Sequence, residues 1–372
     1  MKYKGLILGQ QKDVHIDTEH WKFGTIRNGV KVIDTLLHYS AFSLGYDDHG
    51  IIDKVCERLK TFKPEVADGL FLSFEPTLNT PHIELADRLH KMSNGYRPVF
   101  ALSGSDGVEV AIKMAFAYHQ KIGNKRNKIV SFDDGYHGMT LLSLSCGDKD
   151  LEGAYYGMNP YQDVVKLSRD NLNKDIDWND VACIIIETCP HNKDIKPYGF
   201  DVWNKINKIQ AEHGVLVIID DIFMGGGKTG EFFGFSKLPI NPDLFVMGKA
   251  ITGGFFPLSI AMYSEKLHEH LKDMNWVHGH TYSFCLSGVL SVLEYLNVLE
   301  QYNYMDNVDN IIALAREHFI REGWHIVGNY GLTFILFKHN QHFRFILPIN
   351  ADEEYFNAVP DTLKGLEELW AK

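Results

Sequence analysis

Lys249 lies in Val246-Met247-Gly248-Lys249-Ala250-Ile251-Thr252-Gly253-Gly254, a lysine between glycines just after an apolar run. A surface lysine needs no such neighbours, whereas an amine that forms an imine with an aldehyde cofactor needs backbone that yields to a bulky ring and its phosphate. Upstream, Val215-Leu216-Val217-Ile218-Ile219 ends in Asp220-Asp221, and 29 residues separate Asp220 from Lys249. Pyridoxal phosphate works as an electron sink only while its ring nitrogen stays protonated. A carboxylate at the end of a buried strand supplies the negative charge that keeps it so. Lys249 as a Schiff-base lysine and Asp220 as the ring-nitrogen partner are the catalytic candidates. Taken alone, the acid pair also reads as a strand end entering a turn.

Ser103-Gly104-Ser105-Asp106-Gly107 follows Val99-Phe100-Ala101-Leu102 and opens a helix with apolar positions at Val108, Ile112, Ala115 and Phe116. Unpaired N–H groups, the positive end of the helix dipole, a glycine and serine hydroxyls together make an anion cup. An ordinary N-cap by Ser105, with Asp106 in the first turn, describes the same residues, and the two readings are compatible. Phe132-Asp133-Asp134-Gly135-Tyr136-His137-Gly138 puts Tyr136 in a glycine-flanked turn, where it could stack on a flat ring or simply pack. Glu187 ends the run 181–186 as a further carboxylate at that edge, positioning the neighbours of Asp220, acting on the substrate side, or simply solvated at a strand end.

The elements that must position these residues alternate. A helix is expected over 108–121, strands over 128–132 and 181–186, a helix over 200–213, and strands over 215–219 and 244–247. Near-continuous apolar strands between helices imply an α/β fold with a parallel sheet covered on both faces. That topology sends ligands to the C-terminal ends of the strands, where all the candidates lie. Residues 1–45 suggest a small antiparallel arrangement, and 286–372 give two helical patterns around strands near 332–338 and 343–348. The division expected is 46–285 as a large domain, with 1–45 and 286–372 as the two parts of a smaller one.

The charge of −11, with dispersed lysines and arginines, argues against capture of nucleic acid or an anionic membrane. A composition of 45% hydrophobic and 23% charged residues fits a globular protein acting on small molecules. Five scattered cysteines without a C-x-x-C suggest neither a disulfide framework nor a zinc site, which fits a reducing cytoplasm. The N-terminus has too short an apolar stretch for a signal peptide, and no run is long enough to span a membrane. Gly225-Gly226-Gly227-Lys228-Thr229-Gly230 resembles the tail of a P-loop, but Ile222 stands where that motif wants glycine. His268-Glu269-His270 and His278-Gly279-His280 lack the i, i+4 spacing of a helical zinc pair, so no metal is expected and the histidines read as mostly structural.

Several of these segments, in this order, resemble the class III (ω) aminotransferases of the fold type I pyridoxal phosphate enzymes. The resemblance spans most of residues 20–350. It rests on Ser103 to Glu109, Tyr136-His137-Gly138, Ile219-Asp220-Asp221-Ile222 with Gly225-x-Gly227-Lys228-Thr229-Gly230, Pro242-Asp243-Leu244 leading to Gly248-Lys249-Ala250, and His278-Gly279-His280-Thr281-Tyr282. It implies a large domain with a mostly parallel, seven-stranded type of sheet. It further implies an internal aldimine at Lys249, the ring nitrogen at Asp220 and Ile222 against the ring. Gly104 and Ser105 would hold the phosphate, Tyr136 would stack, and His137 and Glu187 would complete the cofactor site. Thr281 would reach the phosphate of a neighbouring subunit, hence a homodimer. The implied reaction is ping-pong transfer from an amino acid, ω-amino acid or diamine to a keto or aldehyde acceptor. A glutamate-1-semialdehyde-type aminomutase and a cofactor-binding dimer with altered turnover are the alternatives. Met139 stands where ornithine-using members commonly carry arginine, Asp221 where glutamate is usual, Lys228 where arginine is usual, and Phe284-Cys285-Leu286 replaces a small-residue-Pro segment. Arg344 and Arg27 are the candidates for a substrate carboxylate.

Overall fold

The computed structural model describes residues 19–370 apart from 28, 62–79, 149–160, 162, 171, 173–174, 192–194 and 275–277. Strands β1 (His20–Trp21), β2 (Gly24–Arg27) and β3 (Val30–Ile33) form an antiparallel sheet, as the pattern of 1–45 suggests; residues 1–18 of that span lie outside the described residues. Helices α1 (Ile51–Thr61) and α2 (Thr80–Met92) follow. The next elements are β4 (Arg97–Ala101), α3 (Gly104–Lys121), β5 (Lys128–Phe132), α4 (Leu141–Cys146), β6 (Val164–Leu167), β7 (Val181–Glu187), α5 (Phe200–His213), β8 (Leu216–Asp220), β9 (Leu244–Met247) and β10 (Ser259–Tyr263). The chain ends in α6 (Glu265–Leu271), α7 (Leu286–Tyr302), α8 (Val308–Arg321), β11 (His325–Tyr330), β12 (Thr333–Lys338), β13 (Gln341–Ile346) and α9 (Glu353–Trp370). The last segment therefore holds three helices, one more than its periodicity suggests.

The central sheet has seven strands in the order β4-β10-β9-β8-β7-β5-β6. Strands β5 to β9 run parallel to their neighbours, and β10 is antiparallel to both β9 and β4. The reversal follows from chain length. A parallel return needs a crossover of a dozen or more residues, usually a helix, and segment 248–258 is spent on the short turn at Lys249.

Alternation along each strand builds two cores. Cys183, Ile185, Leu216, Ile218, Leu244 and Val246 face α3, while Ile184, Ile186, Val217, Ile219, Phe245 and Met247 face the core shared with α5 and α7. Every residue of β7, β8 and β9 is buried, which is why these strands read as unbroken apolar runs. Helix α5 stops at Gly214, whose φ of +64° ends it in the left-handed conformation.

Non-glycine backbone is left-handed at several places, among them His49, Asn94, Asn303 and His339, and two others bear on the site. Leu37, His38, Tyr39 and Ser40 form a left-handed turn with φ of 43°, 53°, 55° and 72°, at about 1–2 kcal/mol per residue. Asp34 holds its entry: Oδ1 accepts the N–H groups of Leu36 (2.9 Å) and Leu37 (3.1 Å), and Oδ2 accepts Tyr46 O–H at 2.6 Å. Lys249 is the second, at φ 48°. Asp34→Ala removes three hydrogen bonds from a strained turn, so unfolding in urea should show a loss of about 1–3 kcal/mol. An unchanged midpoint would mean that the turn is held elsewhere.

Candidate active site

The C-terminal ends of β5, β7, β8 and β9 meet at one edge of the sheet, and the segments leaving them line a cavity of about 470 Å³. Its walls are Tyr39, Gly104, Ser105, Tyr136, His137, Gly138, His191, Asp220, Ile222, Phe223, Lys249 and Arg344. That size is typical of small-molecule sites, about 300–1,000 Å³. The expected residues Gly104, Ser105, Tyr136, His137, Asp220, Ile222 and Lys249 thus come together in one cavity. Glu187 stands behind that wall, bonded to two of its residues. Thr281 is exposed and lies outside the cavity wall. Arg344 is in the wall; Arg27 ends β2, and its side chain lies outside the described residues.

Asp220 is fixed from two sides. His137 Nδ1 lies 2.8 Å from its Oδ2, with both side chains buried, and Oδ1 accepts the Ile222 N–H at 3.2 Å. The carboxylate is therefore presented in one orientation at the end of β8. Lys249 approaches from the turn after β9. Burial lowers its pKa, against the opposing pull of Asp220 and Glu187, and Arg344 adds to the lowering. Gly248 has an extended backbone, φ −172°, so conformational freedom is not what it supplies. The left-handed residue is the lysine itself, and Gly253 and Gly254 after it are also at positive φ.

Helix α3 starts at Gly104, where the anion cup was expected. The cap is Ser103, not Ser105: its hydroxyl accepts the Asp106 N–H at 3.3 Å. Ser105 is left for the cavity, where its Oγ accepts the Met139 N–H at 3.1 Å. Gly138 sits at φ +124°, and a Cβ there would fall 2.3 Å from Ser105 Oγ, so this wall requires glycine. Burial pushes Asp106 up, but hydrogen bonds from His278, His280 and the Leu102 N–H outweigh it and hold its carboxyl well below the usual range.

Three wall residues escape the sequence reading: Tyr39, His191 and Phe223. Tyr39 rides on the left-handed turn, far from the other motifs in sequence. His191 follows Glu187 by four residues, and Phe223 directly follows Ile222; lying just beyond strand ends was the only signal either gave. The two rings stack at 4.0 Å and 13°. Around the Phe223 ring stand Lys249 Nζ at 4.8 Å, Lys228 Nζ at 5.2 Å and the Arg344 guanidinium at 5.9 Å. An aromatic face attracts each cation by about 1 kcal/mol or more when desolvated. Lys228 is fully buried and donates to Ser40 Oγ, to the Ser40 carbonyl at 3.5 Å and to the Phe223 carbonyl, tying the Tyr39 turn to the cavity wall. Burial, then Lys249, brings its pKa down to about 7.

Two acids are pushed the other way. Burial raises Glu187 to about 8 and Asp221 to about 7. Glu187 accepts the Tyr136 N–H at 2.8 Å and pairs with His191 Nδ1. Asp221 accepts Thr188 O–H at 2.6 Å and Gly234 N–H at 2.8 Å.

The family model for class-III aminotransferases matches residues 13–323, and the chain belongs to that family. It is 30% identical over 317 residues to an adenosylmethionine-8-amino-7-oxononanoate aminotransferase of Staphylococcus aureus, covering 76% of this chain and 68% of that protein. An acetylornithine aminotransferase of Vibrio vulnificus is 30% identical over 207 residues, 55% of this chain and 50% of that protein. An uncharacterized aminotransferase of Archaeoglobus fulgidus is 25% identical over 284 residues, 76% of this chain and 64% of that protein. The match thus spans about half to two thirds of the length of these curated relatives. An (S)-enantioselective ω-transaminase from Thermomicrobium roseum shares the fold, with a TM-score of 0.80 at 19% identity over 93% of this chain and 90% of that one.

The raised acids make stability pH-dependent. Folded Glu187 keeps a proton up to about pH 8 that the unfolded chain releases near 4.5, and Asp221 behaves alike between 3.8 and about 7. Each contributes stability that is complete below the unfolded value and is lost as pH rises through the folded one. Lys228 has the opposite sign, with stability recovering as pH rises above about 7. Urea midpoints should therefore fall between pH 5 and 8 for the parent protein and fall less for Glu187→Gln, by a difference on the order of a few kcal/mol. Equal falls would show that Glu187 does not hold that proton.

Proposed function

We propose that this chain is a pyridoxal phosphate-dependent aminotransferase, and that its substrates carry a carboxylate. The observation that carries the reading is the meeting of Lys249 and Asp220 in one cavity with the N-terminus of α3. Class III aminotransferases use pyridoxal phosphate, and the residues present fit it. A nucleophilic amine, a buried carboxylate and a helix start with a serine hydroxyl share one wall, and the glycine at 138 keeps side-chain atoms out of the cup.

Gly104, Ser105 and the first turn of α3 would hold the phosphate. Tyr136 and Ile222 would flank the ring, and Asp220, oriented by His137, would face its nitrogen. When bound, the cofactor supplies an aldehyde and a protonated ring that withdraws electrons from the substrate carbon. Asp220 presents its carboxyl group at the place where that ring must stay protonated. Lys249 handles the proton. Its lowered pKa gives more free amine at neutral pH, an amine able to attack a carbonyl and then to accept and return a proton as base and acid. Arg344 supports a carboxylate-bearing substrate, since it is a half-buried guanidinium in the cavity wall. The named relatives are aminotransferases, which favours transfer between two substrates over an aminomutase. A homodimer, with Thr281 reaching the neighbouring subunit's phosphate, belongs to the same reading.

Lys249→Ala should abolish the near-visible absorbance of the lysine-bound cofactor and lower turnover by at least about 10³-fold. The companion measurement mixes the holoenzyme with α-amino acids, ω-amino acids and diamines separately and follows decay of that band. An unchanged spectrum in the variant would sink the assignment of Lys249.

A further inference from the structure

The sequence read the histidines as mostly structural, and His191 departs from that reading. It sits in the cavity wall with its ring fixed on several sides. Nδ1 pairs with Glu187 Oε2, the ring stacks on Phe223 at 4.0 Å, Tyr136 meets it edge-on at 5.7 Å and 79°, and its carbonyl accepts Arg344 Nη2. Histidine needs no such support to fill space. A carboxylate behind one ring nitrogen is how a protein sets the protonation and direction of the other. Among the described residues Nε2 has no hydrogen-bond partner, and His191 lines the cavity.

We propose that His191 is a second recognition residue for the substrate's carboxylate, donating an Nε2 hydrogen bond beside Arg344, and that Glu187 is the positioning residue that keeps that proton in place. The inference rests on the reading that this cavity takes a carboxylate-bearing substrate.

Proton accounting supports a donor over an acceptor. Burial drives Glu187 up, to about 8, and drives His191 well below its usual range, with Lys249 and Arg344 adding to the latter. At neutral pH the pair therefore carries one proton between Glu187 Oε2 and Nδ1 and a second on Nε2, with no net charge. Losing one proton above about pH 8 leaves a Glu187 carboxylate bonded to Nδ1–H, and Nε2 then turns a lone pair to the cavity. The charged and titratable groups facing the pair are Lys249, Arg344 and Lys228, which favour an anion in the cavity, and Asp220 with His137, which pair with each other. The Tyr136 N–H binds the other Glu187 oxygen and does not compete for the proton.

The test uses glutarate, a dicarboxylate with neither amine nor carbonyl, titrated into the cofactor-loaded protein by calorimetry at pH 7 and pH 9. Parent protein should bind it roughly tenfold more weakly at pH 9, the worth of one hydrogen bond to a charged group. His191→Phe should bind as weakly at pH 7 as the parent does at pH 9. Glu187→Gln cannot ionise, and its amide donates to Nδ1, so its affinity should stay near the parent's pH 7 value at both pH values. In turnover with a carboxylate acceptor, His191→Phe should raise KM about tenfold and change kcat less than about threefold. His191→Gln, which keeps a donor, should recover part of the affinity should the phenylalanine disturb packing. Equal glutarate affinity in the parent and both His191 variants, or a pH dependence that survives Glu187→Gln, would overturn the proposal. Failure of every donor to alter the cofactor band would overturn the aminotransferase reading instead, and glutarate binding would still report on His191.

Discussion

The removal of charge from water at one edge of the sheet is the constraint on which the rest of the site depends. Asp220, Asp221, Glu187, Lys228 and His137 are all buried there, with Lys249 and Arg344 close by. A lone buried charge costs several kcal/mol, so each group has to be matched or neutralised. The protein uses a different solution for each. Asp220 takes a histidine and a backbone N–H and faces a lysine. Asp221 takes a hydroxyl and a backbone N–H. Glu187 keeps a proton. Lys228 has three neutral acceptors and an aromatic face. These solutions are linked, because Phe223 is at once the ring beneath three cations and the stacking partner of His191.

Backbone strain marks the same place. Lys249 and the turn 37–40 occupy left-handed conformations with ordinary side chains, and strain of this kind survives only where surrounding structure over-determines it. Here Asp34 holds one end of the 37–40 turn and Lys228 the other, so Tyr39 reaches the cavity from a separate sheet. The strain at Lys249 follows from the topology. The chain leaves β9 and must double back into antiparallel β10 without a crossover helix, and the tight turn that does so carries the amine.

Legibility in the sequence followed the period of the pattern. Strands β5, β7, β8 and β9 are apolar throughout because both faces are covered, and α3 and α5 carry clean helical spacing, so their places were readable to within a few residues. Strand β10 was not assigned, since Ser259-Ile260-Ala261-Met262-Tyr263 is short and its direction is set by the turn before it. The part of the cavity lined by Gly104, Ser105, Asp220 and Lys249 was legible because these residues sit at a helix start or just at a strand end. The rest was not. Tyr39, His191, Phe223 and Arg344 come from four distant segments, and only Arg344 carried a chemical signal, a guanidinium, strong enough to single out.

The departures from the family's usual residues have local causes that bear on what the cavity can hold. Met139 is exposed, and the backbone N–H at that position makes the contact with Ser105, so the missing arginine leaves the cup intact and removes a cation only from the rim. Lys228 meets acceptors at Ser40 and Phe223 that suit a compact ammonium better than a planar fork. Asp221 is short enough to reach both Thr188 and Gly234 without entering the cavity. The bonds that orient Asp220 run to His137 and Ile222 and to none of these positions, while Lys228 stands with Lys249 and Arg344 around Phe223, so positive charge gathers on that ring beside Lys249.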